Sequence, residues 1–285
     1  MQGHTPVLLE EVLAGLSIRS DGRYCDATFG RGGHTAAILE ALGPAGRVVA
    51  IDRDAEAIRA GRLRFGDEPR LTLMRGSFAR LTELVRAAEV EGELQGVLLD
   101  LGVSSPQLDE ADRGFSFMQD GPLDMRMDNE TGQTAAQWLA RAIVAARAKA
   151  PIERTGQLAT VIAAAVPARE PGKHPATRSF QAIRMRVNAE LESIEAALPQ
   201  AVELLAPGGR LCVIGFHSLE DRLVKRFIQR ESRGDPHYAG LPQIPPHARP
   251  RLAKIGGATT PSDAEIALNP RARSARLRVA ERIAA

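Results

Sequence analysis

The stretch Asp26-Ala27-Thr28-Phe29-Gly30-Arg31-Gly32-Gly33-His34 directly follows a short apolar run and has the residue types of a ligand-binding turn. Glycine tolerates positive φ and lets backbone N–H groups approach a ligand closely at the mouth of a sheet. The spacing departs from the dinucleotide fingerprint, because Thr35 stands where Gly-x-Gly-x-x-Gly needs its third glycine. A pyrophosphate reader is therefore disfavoured. Asp52 ends the next apolar run about twenty residues after Gly30, where a carboxylate can accept from both ribose hydroxyls of an adenosyl group. Blander roles compete: Asp26 as a helix cap or turn former, Asp52 as a solvent-facing acid, His34 as a surface residue rather than a neighbour of a cofactor's amino-acid part.

A second chemical stretch is Leu98-Leu99-Asp100-Leu101-Gly102-Val103-Ser104-Ser105-Pro106-Gln107. It places Asp100 at the end of an apolar run, the usual position of ligand and catalytic groups in a doubly wound fold. A plain turn led by Asp and Pro is the alternative. The Ser104-Ser105-Pro106 turn offers hydroxyls and carbonyls as acceptors for an amine. His217, Glu220 and Asp221 have the chemistry of a metal site or a triad, but their spacing matches no compact zinc motif. Hydrogen bonding beside the sheet is the simpler expectation for them, and no metal is expected.

These groups need a sheet to hold them. Apolar runs at Arg23 to Ala27, Arg47 to Ile51, Leu71 to Met74 and Val97 to Asp100 alternate with helix-period stretches at Thr35 to Leu42, Ala55 to Arg64 and from Arg80 onward. That alternation marks an α/β, mostly parallel, doubly wound sheet. A strand at Arg210 to Ile214, preceded by a helix carrying Leu191, Ile194, Leu198, Val202 and Leu205, resumes the same domain. Residues 1–101 and 188–285 are thus expected to form one cofactor domain, with 102–187 inserted as a mostly helical lobe read from Ala135 to Ala148 and Leu158 to Ala165. Pro236 to Pro250 reads as irregular surface, and Arg276 to Val279 alternates as an edge strand would.

Nearly end to end, the sequence resembles the bacterial small-subunit ribosomal RNA cytosine-N4-methyltransferases, which use S-adenosylmethionine. The blocks that carry the likeness begin with His4-Thr5-Pro6-Val7-Leu8-Leu9, Thr28 to His34, Ala50-Ile51-Asp52-Arg53-Asp54 and Leu99 to Gln107. Arg113-Gly114-Phe115-Ser116-Phe117, Gly121 to Met127, His174-Pro175-Ala176-Thr177-Arg178, Phe216 to Arg222 and Asn269 to Ser274 follow in the same order. The resemblance implies a Rossmann-like class I methyltransferase sheet and cofactor contacts at Gly33, His34, Thr35, Asp52, Phe78, Asp100 and Gln107. Its implied target is one cytidine in the decoding region of 16S rRNA, within the small ribosomal subunit.

The expected chemistry is direct methyl transfer to the exocyclic N4, with Asp100, Ser104, Ser105 and Pro106 as the catalytic set. Asp100 would orient the cofactor or accept from the amine, and the turn would receive the flipped base. The turn is similar to the Asp/Ser-Pro-Pro-aromatic loop of other amino-methyltransferases, with Gln107 and Leu108 replacing its last two residues. Phe115 and Phe117 are candidates for the missing stacking partner, or else core residues. Members of the family carry a longer stretch after the helix near Ala135, whereas here Trp138-Leu139 runs almost directly into Arg141-Ala142-Ile143-Val144, so a smaller lobe is expected. The sequence leaves open whether the partners include a second copy in a homodimer.

Composition sets the outer limits. The 285 residues are 44% hydrophobic, and 37 Lys plus Arg against 35 Asp plus Glu give +2, which excludes bulk disorder and a supercharged chain. Local charge is less even. Arg222, Lys225, Arg226, Arg230 and Arg233 form one basic group, Arg271, Arg273, Arg276, Arg278 and Arg282 a second, and Lys173, His174, Arg178, Arg184 and Arg186 a third. As RNA contacts all three should border the mouth near Asp100; as a solvated face they should pair with nearby acids. Cys25 and Cys212 read as buried thiols of a reduced compartment, and no apolar run reaches the roughly 20 residues of a membrane span, so the cytoplasm is the expected location. Methylation of another acceptor, or a binding module that holds the cofactor structurally, are the competing functions.

Overall fold

A computed structural model of the chain describes residues 6–90, 92–102, 112, 115, 120–125, 141–148, 150–165, 174–234, 236–238, 243–245 and 248–284. Among them the branched-apolar runs pair into a seven-stranded sheet. Its strands are β1 Arg23–Asp26, β2 Arg47–Asp52, β3 Leu71–Arg75, β4 Leu94–Asp100, β5 Leu205–Gly215, β6 Leu252–Thr259 and β7 Arg276–Arg282, in the spatial order β3-β2-β1-β4-β5-β7-β6. The first five are parallel; β7 runs antiparallel to both β5 and β6. The helices are α1 Leu9–Leu16, α2 Gly33–Ala41, α3 Ala55–Phe65, α4 Leu81–Ala87, α5 Arg141–Arg147, α6 Thr155–Ala165, α7 Thr177–Val187, α8 Glu190–Leu204, α9 Ser218–Arg233 and α10 Asp263–Leu268. This is the doubly wound α/β architecture read from the alternation of runs.

Both faces of the sheet are covered, which is why its strands are apolar on both sides. Cys25, Val49, Ile51, Val97, Leu99, Leu211 and Val213 pack with residues of α4, α8 and α9, including Leu81, Leu198 and Phe227. Tyr24, Val48, Leu98, Cys212, Ile214 and Leu277 face α1 and α2 through Val12, Leu16, Ile38 and Leu39. Each such fully buried aliphatic side chain contributes about 1.5–3 kcal/mol. The two cysteines lie in opposite cores and are free. Burial raises both thiols, Cys212 to about 12.

The chain lays β1, β2 and β3 outward in one direction and then crosses to β4 on the other side of β1. Strand order reverses there, and a crevice opens at the carboxyl ends of β1 and β4. Register decides what lines it. Asp26 pairs with Ala50 on one side and Leu98 on the other. Because side chains alternate along a strand, Asp52 and Asp100 emerge one pleat further out, on the same face as Asp26. Three carboxylates thus share one face and one edge.

One expectation is corrected here. The alternation at Arg276 to Val279 does mark a strand, but β7 is an inner strand, because β6 pairs along its other side. In β6 only Leu252 is fully buried and the remainder is exposed or half-exposed, so no period-two pattern announced it.

By its contacts the chain divides into two units, Met1–Gly102 with Leu191–Ala285, and Val103–Glu190. Within the second, Leu123, Met125, Ile143, Leu158, Ile162, Phe180 and Ile183 form a small core contributed by α5, α6, α7 and the segment before them. The Gly121 and Thr155 groups clamp this segment: Thr155 N–H donates to the Gly121 carbonyl at 2.9 Å, and Gly121 N–H donates to Thr155 Oγ1 at 3.1 Å. Of the helix read over Ala135 to Ala148, residues 135–140 lie outside the described residues and Arg141–Arg147 is helical. Among the described residues no helix is long and apolar enough to cross a membrane.

Candidate functional site

The turn after β1 is built onto the sheet by Asp26. Its carboxylate is buried and accepts from the Thr35 hydroxyl at 2.7 Å and the Thr28 N–H at 3.1 Å. Thr28 Oγ1 in turn accepts from Asp100 N–H at 2.6 Å, joining the turn to β4. Asp26 is therefore an interior anchor rather than a surface cap. Asp52 is held from two directions: Gly30 N–H donates to Oδ2 at 2.7 Å and Asp54 N–H to Oδ1 at 2.8 Å. Burial nevertheless pushes the Asp52 carboxyl up to about 6, with Asp54 and Asp26 adding to the rise against the two amide hydrogen bonds. Asp26 is raised by burial as well.

The glycines do what the sequence asked of them. Gly30 and Gly32 have φ of 55° and 70°, in the left-handed region, and α2 begins at Gly33. A Cβ on Gly32 would lie 2.6 Å from the Phe29 ring, and one on Gly33 would lie 2.4 Å from Pro6 Cγ. The first-turn amides of Gly33, His34 and Thr35 have no acceptor within the helix and present a ready site for a carboxylate. The Thr35 side chain is fully buried and spent on Asp26, so only its backbone faces a ligand.

Asp100 closes the site from β4. Its side chain retains 25% exposure, yet its Oδ1 is buried and accepts no hydrogen bond among the described residues. Oδ2 lies 3.5 Å from His34 Nδ1. Burial lifts Asp100 to about 6; His34 opposes the rise, and Asp26 and Glu220 reinforce it. The His34 ring is 6% exposed and its Nε2 lies 3.0 Å from the Val7 carbonyl. Pro6 and Val7 thus pack directly onto the turn, a role that no local pattern in the sequence signalled.

Phe78 starts a short turn, Phe78–Arg80, just after β3, and is half-buried against the core. Ser104, Ser105, Pro106 and Gln107 lie outside the described residues, as does Phe117. Phe115 is 5% exposed, which favours the core reading for it over a stacking surface. His217 and Glu220 form a helix start, with His217 Nε2 buried 3.1 Å from Glu220 Oε1 and making no hydrogen bond among the described residues. His217 Nδ1 accepts from Glu220 N–H at 3.4 Å, and Glu220 Oε2 accepts from the N–H groups of Phe216 at 2.8 Å and His217 at 3.2 Å, a capping box for α9. Asp221 holds Arg278 through two contacts of 2.7 and 3.1 Å.

The basic groups divide by role. Arg282 donates to the carbonyls of Val202 and Glu203 at 2.9 Å and also to that of Leu205, so it caps the end of α8. Arg184 pairs with Glu190 through two 2.9 Å contacts. Arg222, Lys225, Arg226 and Arg233 are exposed on α9. The expectation that the groups all border the mouth fails. Arg276 lies level with Gly215 at the carboxyl edge, whereas Arg210, at the far end of β5, lies level with Glu281 beside Arg282. Arg233 also ends up at that far edge, since Arg251, next to the start of β6, donates to the Glu231 carbonyl.

The site has acceptors for ribose hydroxyls at Asp52, amides for a carboxylate at the start of α2, and buried carboxylates that a cation would relieve. These residues fit S-adenosylmethionine, an adenosyl group bearing a zwitterionic tail and a sulfonium. The MraW methylase family matches residues 1–141 and 137–283. Ribosomal RNA small subunit methyltransferase H of Shewanella frigidimarina is 52% identical, over 98% of this chain and 97% of that one. The protein of the same name from Thioalkalivibrio sulfidiphilus is 53% identical, over 99% and 98%. Both alignments run over 306 positions, more than the 285 residues here, and the two family matches meet at 137–141, where the sequence looked shortened. In fold, the chain is similar to a candidate rRNA-methylase from Clostridium thermocellum, with a TM-score of 0.50 at 15% identity over 99% of this chain and 100% of that one. The chain belongs to the MraW methylase family and is an enzyme that takes its methyl group from S-adenosylmethionine.

Proposed function

We propose that this enzyme methylates the exocyclic N4 amine of a cytidine in 16S rRNA, within the small ribosomal subunit. The observation that carries the reading is identity above one half, along almost the whole chain, to ribosomal RNA small subunit methyltransferases H. It is supported by an edge that ends in Asp52 and Asp100. Residues 1–101 with 188–285 act as the cofactor domain and 102–187 as the substrate-recognition lobe. Asp52 accepts from the ribose hydroxyls, the amides of Gly33, His34 and Thr35 hold the carboxylate, and Phe78 and Gln107 complete the cofactor contacts.

The bound sulfonium supplies an electrophilic methyl group. The cytosine N4 lone pair is delocalised into its ring, so the protein must turn the amine and meet its developing positive charge. Asp100 accepts a hydrogen bond from that amine and then its proton, while the Ser104-Ser105-Pro106 turn offers further acceptors to the flipped base. Its carboxyl, raised to about 6, is suited to taking a proton near neutrality.

Small subunits lacking the modification, incubated with methyl-labelled cofactor, should yield labelled N4-methylcytidine. Label in another nucleoside would redirect the reading, and no label while cofactor binds would remove it. Asp100→Asn should cut turnover by about a hundredfold or more while cofactor affinity stays within about twofold. Loss of cofactor binding alone would sink the role of Asp100 at the amine.

A further inference from the structure

The Val7 carbonyl can only accept, so its 3.0 Å contact fixes a proton on His34 Nε2 and turns Nδ1 toward Asp100. Across that 3.5 Å gap, an imidazole lone pair facing a carboxylate lone pair would repel; one proton shared by the pair makes the contact attractive. The ring is almost sealed, whereas Asp100 is partly open, so a proton from the mouth reaches His34 through Asp100. Because Oδ1 is buried without a partner among the described residues, Oδ2 is the oxygen through which the exchange runs.

We propose that His34 is a positioning residue acting through Asp100: locked by Val7, its Nδ1–H donates to Asp100 Oδ2 and keeps that carboxylate ionised and aimed to take the proton that the acceptor amine gives up. The inference rests on the reading of Asp100 as that amine's acceptor. The balance is simple. A carbon–sulfur bond breaks as a carbon–nitrogen bond forms, the sulfonium becomes a neutral thioether, and one N–H proton of the amine passes to the Asp100 carboxylate. Among the described residues, the charged groups acting on Asp100 are His34 from α2, Asp26 from β1 and Glu220 from α9. The two acids raise its hold on a proton, and the imidazole keeps that hold reversible.

His34→Gln tests this, because an amide nitrogen can replace Nε2 at the Val7 carbonyl while nothing replaces Nδ1. Cofactor affinity should stay within about twofold, and turnover at neutral pH should fall about tenfold, the low end of general acid–base contributions. The acid limb of the turnover profile should move up by about one pH unit, as Asp100 loses the neighbour that lowers it, and the rate should recover at high pH. A loss equal at every pH, or one matched by lost cofactor affinity, would mean a structural role only and overturn the proposal. Nitrogen NMR of the unsubstituted enzyme gives an independent check: a neutral His34 with its proton on Nδ1 would also overturn it. If Asp100→Asn keeps turnover, the parent reading fails; if Asp100→Asn is inactive and the limb of His34→Gln does not move, only the role of His34 fails.

Discussion

Three acids on one face of one sheet edge are costly to ionise together. Asp52 and Asp100, each raised to about 6, are easier to protonate in the folded chain than in the unfolded one. Their contribution to stability is therefore present below about pH 4 and lost as pH rises through about 6. If Asp52 accepts from the ribose hydroxyls as proposed, cofactor binding has the opposite sign, since those hydroxyls prefer its ionised form. Cofactor affinity should fall toward tenfold per unit below about pH 6, with proton release on binding near that pH. Calorimetry in buffers of different ionisation heat measures both, and a flat affinity between about pH 5 and 7.5 would contradict this account.

At the scale of elements, the start of α9 is the most sharply testable. Glu220 is 1% exposed and satisfies two N–H groups at the end of β5. Glu220→Ala strands those donors and should cost about 1–3 kcal/mol, lowering Tm by about 3–10 °C, whereas Glu220→Gln keeps an acceptor and should lose less. Thermal denaturation decides, and equal losses would refute the capping role. The same turn shows why sequence reading succeeded unevenly. His217 and Glu220 stand at a spacing that suits a triad or a capping box alike, and only the backbone donors between them tell the two apart. The parallel strands were legible because burial on both faces demands uninterrupted apolar runs, and Asp52 and Asp100 were legible because they end such runs. β6 was not, since exposure along most of its length and Gly256-Gly257 erase any alternation. Nor was α1 read as a helix, although Leu9, Val12, Leu13 and Leu16 of its eight residues keep helical spacing. The partnership of His34 with Val7 and Asp100 joins three segments distant in sequence, and nothing local encodes it.

Over the whole molecule, the near-neutral charge conceals a division between arginines that hold the fold and arginines left to solvent. Arg278→Ala would leave Asp221 without its bidentate partner and should lower Tm. Arg222→Glu with Arg226→Glu should leave Tm within about 1 °C and, if α9 meets RNA phosphates, weaken binding to small subunits about tenfold or more. Unchanged subunit binding would remove α9 from the RNA surface. The strand order carries a different kind of consequence, for how the chain is made. Synthesis proceeds from β1 to β4, but the neighbour of β4 is β5, which emerges only after the whole of Val103–Glu190. Until then the growing chain carries a half-sheet with a raw apolar edge at Leu94–Asp100, a template for mispairing. The inserted unit thus sets a delay as well as a shape: a shorter one, by hastening the arrival of β5, narrows the interval during which the nascent enzyme can aggregate or must be shielded by a chaperone.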